Sequence, residues 1–239
     1  MNNVRTVSDT KRAFYTTHTR PINSIYRRVV EELMVEMHLL AVNVDFQYDP
    51  IFALGVVTSF DRFMQGYVPE HDKGSIFNAI CQAVETDPGR YRHDATRLQE
   101  LAAGKSVSDL VSWFEQSATA DWGDDFQQQI KAIANNPKFK YSRLFVIGLF
   151  SLFEAADAAA MKETAKAEAA LKQVCTALRL PEDKARKDLE LYRSNLEKMA
   201  QAQALMADLL AADKKKKAER AAANSSVAPN ATPESAETP

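Results

Sequence analysis

The chain has 239 residues, 46% hydrophobic and 26% charged, with a net charge of −2 and a pI near 6.1. That length suits one large domain or two small ones, and the apolar fraction can fill a proper core. The near-neutral balance argues against a nucleic-acid binder, which would carry a basic face. With 7 glycines and no GxG, the chain has no Gly-rich loop to cradle a phosphate.

The N-terminal stretch MNNVRTVSDTKRAFYTTHTRP has no apolar h-region, so no signal peptide is expected, and it lacks the long Ser/Arg-rich leader of an organelle-imported precursor. Ser8 reads as an N-cap opening a short helix through about Thr17. Ser8 and Lys11 also match S-x-x-K, a nucleophile pattern in some acyl transferases, but the partner motifs of that set are missing.

Pro21–Leu40 is the most informative stretch. At about 100° per residue, Ile22, Ile25, Tyr26, Val29, Val30, Leu33, Met34, Met37 and Leu40 share one side of a helix, while Val35 and Leu39 form a smaller patch opposite. Apolar on both sides, it is expected to be the central helix, packed on by more than one neighbour. Glu36 projects into the main arc, where an unpaired carboxylate would be costly. It is either an acid tuned for chemistry or, as structural ion pairs more often explain, the partner of an arginine or a cap. Arg27–Glu31 and Arg28–Glu32 are solvated i,i+4 pairs. His38 projects to the polar side.

Val42, Val44, Phe46 and Tyr48 then alternate with polar residues as in a strand. No partner strand is evident, so the segment is expected to be an extended connector with its apolar side on the core. Further helices are expected over Pro50–Gln65, Pro69–Thr86 and Tyr91–Ala103, the last closed by Gly104. Two more follow, one capped by Ser106 or Ser108 and one marked by Phe126, Ile130 and Ile133. Six of the nine prolines stand at or shortly before a helix start, where the missing N–H costs no hydrogen bond. Leu144–Phe153, LFVIGLFSLF, is too short to cross a bilayer and reads as a buried helix opened by Ser142 and running to about Ala159. An Ala-rich helix over Glu163–Arg179 follows.

The last helix, Pro181 to about Ala212, carries Ala185, Leu189, Tyr192, Leu196, Met199, Gln203, Met206 and Leu210 at alternating steps of 4 and 3, a heptad seam. The seam either packs along the body or pairs with another chain, including a second copy. Lys214–Lys217 follow, cations placed to complement a helix C-terminus or to touch an anionic membrane surface. The remainder, from about Arg220, has the composition of a disordered tail. The expected organisation is an all-α core domain over 1–180, the heptad helix over 181–213, and a basic run and tail over 214–239.

Catalytic and metal chemistry find little support. No Glu-x-x-His or HExxH occurs, and His18, His38, His71 and His93 share no spacing. No nucleophile, base and stabiliser can be assembled, so no catalytic residue, metal or cofactor is expected. Cys81 and Cys175 lie far apart without a CxxC, as in a reducing compartment.

The strings NNVRTVSDTKRAFYTTHTRPINSIYRRVVEELMVEMHLL, DPIFALGVVTSFDRFMQGY, IFNAICQAVE and KYSRLFVIGLFSLFE closely resemble the thylakoid formation protein family, from about Asn2 to about Leu210. Without a plastid leader, the chain is similar to the cyanobacterial members. The resemblance implies an all-helical, non-catalytic accessory protein for photosystem II biogenesis and repair. It further implies association with the membrane-bound FtsH protease complex and possible contact with photosystem II components at the cytoplasmic face of the thylakoid membrane. Leu189, Tyr192, Leu196, Met199, Met206 and Leu210 of the seam are the candidate partner-binding residues. The alternative is a peripheral protein that organises the membrane surface without touching the protease.

Overall fold

Two glycines set the centre of this fold. Helix α3 (Pro50–Phe63) and helix α8 (Arg143–Ala156) cross so closely that a Cβ on Gly55 would stand 1.7 Å from the Leu144 carbonyl oxygen, and one on Gly148 1.9 Å from that of Ile51. Without side chains at the crossing, the flanking apolar residues of both helices interlock. Residues Pro50–Phe60 and Leu144–Phe153 are buried along their entire length, so the expected buried helix over 144–153 is present. The carboxylate of Asp49 accepts from the Phe52 N–H (2.8 Å) and Pro50 fills the first turn of α3, while Ser142 accepts from the Phe145 N–H (3.0 Å) at the start of α8.

The structure is a computed structural model that describes residues 5–116 and 124–225. The described residues contain ten α-helices, one short 3-10 turn and no strand. Around the α3–α8 pair lie α1 (Val7–Thr17), α2 (Ser24–Ala41), α4 (Asp72–Ala83), α5 (Pro88–Ala102), α6 (Val107–Phe114), α7 (Asp124–Ala134) and α9 (Thr164–Ala177). The core is rich in aromatic rings: Phe60 meets Phe77 edge-on at 5.1 Å, and Phe52 meets Phe46 at 4.9 Å. Such pairs add about 0.5–1.5 kcal/mol each beyond their burial. Cys81 and Cys175 are free and buried, and burial pushes their thiols up to about 12 and about 11.

Several local expectations need correction. Helix α1 is capped by Thr6, not Ser8: Thr6 and Asp9 form a reciprocal capping box, which satisfies two orphan N–H groups at once. His38 is not on a solvated face, because α1 packs over it and the Thr10 hydroxyl lies 2.9 Å from its Nδ1. The connector after α2 packs only by its second half. Phe46 and Tyr48 meet the rings of Phe52 and Tyr91 edge-on, whereas Val42 and Val44 turn outward, Val44 being 96% exposed. The centre of the body is the α3–α8 pair, and α2 flanks it with one face covered.

The chain divides into two compact units, Met1–Glu197 and Lys198–Pro239. Helix α10 runs continuously from Glu182 to Ser225. Its first part belongs to the first unit, so that unit extends past the boundary expected at Leu180. Ala185, Leu189 and Tyr192 are buried there, Tyr192 sits edge-on to Phe63 at 5.7 Å, and the Tyr141 hydroxyl donates to Asp188 at 2.7 Å. In the second unit the helix continues beyond the expected end at Ala212. Lys, Ala, Glu and Arg are all strong helix formers, and they carry it through Lys214–Lys217, which therefore lie inside the helix instead of at its C-terminus.

Candidate functional site

Helix α2 carries the feature that most resembles a binding site. Its main apolar arc faces the core, with Tyr26, Val30, Leu33, Met34, Met37 and Leu40 buried. The smaller patch opposite has no helix laid over it. Val35 is half-buried and Leu39 is 56% exposed, and both line an open groove of about 1140 Å³. The far wall is the segment 140–143 entering α8, together with Leu191 and Asn195 of α10. Leu191 falls off the heptad seam and is 47% exposed.

The groove walls are held by ion pairs. Arg143, at the first position of α8, binds Glu36 in the middle of α2, which identifies that inward-projecting acid as a structural partner. Tyr141 is fixed from behind by its hydrogen bond to Asp188 and by the Lys184 ammonium 4.8 Å from its ring centroid. Burial and the bond to Asp188 push the Tyr141 hydroxyl well above the usual phenol range. Near the other end of α2, Glu31 accepts from Lys11 and from the Tyr15 hydroxyl, both at 2.8 Å, and these two bonds hold its carboxyl below the usual range.

Charge on the rim is unbalanced. Lys11, Arg27, Arg28, Lys140 and Arg143 line the groove against Glu31, Glu32 and Glu36, five cations to three anions, a net charge of +2. Each glutamate has one cation in contact: Lys11 on Glu31, Arg28 on Glu32 and Arg143 on Glu36. Among the described residues Arg27 and Lys140 form no contact ion pair, and both are exposed. Arg27 acts on Glu31 only at longer range.

The seam residues are dispersed in their environments. Leu189 and Tyr192 are buried in the first unit and Leu196 is half-buried. In the second unit Met199 is buried and Met206 half-buried, while the side chain of Leu210 lies outside the described residues. The outward leucines of α10 are instead Leu191, Leu205 and Leu209. The S-x-x-K pair does not assemble, since Lys11 is committed to Glu31. His18 and His38 are buried and His71 and His93 exposed, and among the described residues no cluster of His, Cys, Asp or Glu could hold a metal ion. No helix among them is long and apolar enough to cross a membrane.

The fold and groove together define an all-α protein with an open, charge-rimmed groove on its first unit and a long C-terminal helix. Its sequence matches the thylakoid formation protein family model over residues 6–221, and the chain belongs to that family. The protein Thf1 of Nostoc punctiforme is 61% identical over 99% of this chain and 100% of its own length, and that of Trichormus variabilis is 62% identical over 92% and 94%. The solved structure of Psb29 is similar with a TM-score of 0.77 at 45% identity, covering 90% of this chain and 99% of that one.

Proposed function

We propose that this protein is a non-catalytic accessory factor in photosystem II biogenesis and repair that binds and stabilises the FtsH protease complex at the thylakoid membrane. The observation that carries the reading is the α2 groove. An apolar floor left uncovered beside exposed cations, between walls fixed by Arg143–Glu36 and Tyr141–Asp188, supports a contact made by binding. Membership of a family named for thylakoid formation supplies the cellular setting. A factor that contributes only binding energy stabilises the protease assembly by mass action, favouring whichever state it binds. The exposed leucines Leu205 and Leu209 of α10 offer a second contact surface for the same complex.

The test is co-purification from thylakoid extract using the full chain and a chain ending at Glu197. Retention of FtsH subunits by both places the contact on the first unit, and retention by the full chain alone places it on α10. If neither retains FtsH, the reading fails. The second reading, a membrane-surface protein without protease contact, draws on the exposed Lys214–Lys217 run. It predicts flotation with anionic liposomes that is lost as salt is raised.

A further inference from the structure

The groove on α2 has a shape and a polarity that specify more than a generic contact. From Ser24 to Leu40 it follows α2 for 16 residue steps, roughly 24 Å at about 1.5 Å per residue, and it reaches Asn43 just past the helix end. Averaged over that length, its volume of about 1140 Å³ corresponds to a mean cross-section of roughly 45–50 Å². A helix about 10–12 Å across occupies roughly 80–110 Å², so the groove accepts one sunk to about half its width. That is the helix-in-groove mode of recognition.

The apolar patch and the exposed Arg27 stand at different places in the groove, and the charges beside the patch, Glu36 and Arg143, neutralise each other. Val35 and Leu39 lie in the second half of α2, faced by Leu191 from α10, whereas Arg27 stands 12 residues before Leu39, roughly 18 Å or just over three turns away. Lys140 adds a second cation without a contact ion pair on the far wall. A complementary ligand therefore buries apolar side chains at one end and presents carboxylates about three turns further on. The chain's own C-terminal stretch does not answer this description, because VAPNATPESAETP contains three prolines and no leucine, isoleucine or phenylalanine. The outward part of α10 in a second copy has exposed Leu205 and Leu209 but brings Lys214–Lys217 close behind, like charge against a net-positive rim.

We propose that this groove docks an amphipathic helix of a partner protein, apolar at one end and acidic about three turns away, with the acidic end at Arg27 and the apolar end over Leu39 and Leu191. This deepens the accessory-factor reading and rests on its premise that the protein acts by binding. Steering by the net charge makes the association sensitive to salt.

The experiment uses the full-length chain and fluorescent synthetic helices of about twenty residues, read by anisotropy. One helix carries leucines at i, i+3 and i+4 at one end and glutamates three turns away, and a second carries lysines in place of the glutamates. The acidic helix is expected to bind, and Leu39→Lys and Arg27→Glu each to weaken it at least tenfold. Val68→Lys, at a position 81% exposed and outside the groove, is expected to leave binding unchanged. Arg27→Glu is also expected to gain affinity for the lysine helix, which a damaged fold would not do. Absence of binding by the wild-type chain overturns the proposal, as does equal binding by Leu39→Lys. Self-association of the wild type that Leu39→Lys abolishes assigns the groove to a second copy, and vesicle flotation that both variants abolish assigns it to anionic lipid. Either result overturns the proposal too. FtsH retention is measured with the same variants. Helix binding lost while FtsH is retained upholds the groove and moves the protease contact elsewhere. Helix binding by a wild-type chain that retains no FtsH upholds the groove and removes the protease reading.

Discussion

Replacing Gly55 by alanine tests the α3–α8 crossing directly. The new Cβ would stand 1.7 Å from the Leu144 carbonyl oxygen and 2.9 Å from the Gly148 nitrogen, and both are backbone atoms inside a helix. No rotamer change relieves such a contact, so the helices must move apart. Ordinary contact begins at 3.4 Å, which leaves 3.4 − 1.7 = 1.7 Å to be found. A gap of 0.5–1 Å already forfeits about a quarter to a half of each dispersion contact, and here it would open along two helices buried over ten or more residues each. Overpacking of this kind costs about 1–3 kcal/mol and occasionally more. With backbone on both sides of the clash the upper end applies, about 3–4 kcal/mol. The better helix propensity of alanine returns about 1 kcal/mol. The net loss of roughly 2–3 kcal/mol lowers the melting temperature by roughly 4–12 °C in a chain of this size. Gly74→Ala is the control, because a Cβ there meets nothing within 4 Å; it is expected to raise stability by about 0.5–1 kcal/mol. Thermal melts followed by circular dichroism at 222 nm compare the two. If Gly55→Ala melts at or above the wild-type temperature, the close crossing and the reasoning built on it are refuted.

Asp49 supplies a pH prediction. Burial is the largest cause of a rise in its carboxyl to about 7, opposed by the Phe52 and Ile51 N–H groups it caps. With the folded value above the unfolded one, this group's contribution is fully present below about pH 4 and is lost as pH rises through about 7. Asp49→Asn keeps a cap acceptor but cannot ionise, so urea midpoints should match the wild type near pH 4 and exceed it by an amount equivalent to a few kcal/mol near pH 8; equal midpoints at both pH values would count against the buried-acid account. Tyr192→Ala should cost roughly 3 kcal/mol in urea unfolding, as buried aromatic truncations do, and a loss under about 1 kcal/mol would show that α10 is not part of the core. A chain ending at Leu180 should lose cooperative melting because Ala185, Leu189 and Tyr192 are removed, while one ending at Glu197 should keep it; identical melts of the two would contradict the boundary at Glu197.

Periodicity located the helices well because it reports which face of a segment is buried. The prolines and cap residues supplied most of the boundaries: Pro50 and Pro88 stand at the starts of α3 and α5, and Ser106 and Ser142 cap α6 and α8. Periodicity is silent about which apolar helix lies innermost. Pro21–Leu40 has the broader apolar arc, yet α3 and α8 take the centre, and the cause is two single glycines whose importance appears only when they face each other. His38 departs from its projection for a related reason, since a helical projection marks a polar side and is silent about α1 covering it.

One part of the groove is legible in the sequence, its apolar floor. Val35 and Leu39 are apolar on the side of α2 away from the main arc, and that pattern has two physical explanations: a second neighbour within the chain, or one outside it. Only the placement of the other elements decides between them. Segment 140–143 and Leu191 approach that side closely enough to form walls, but they leave Leu39 more than half exposed. Glu36 completes the argument. Its carboxylate is matched by Arg143, so the wall is anchored without using Arg27 or Lys140, which form no contact ion pair among the described residues. The second apolar patch on α2 therefore takes its meaning from the elements around it: they close over the main arc and leave Leu39 open, which is the placement on which the proposal of an outside partner rests.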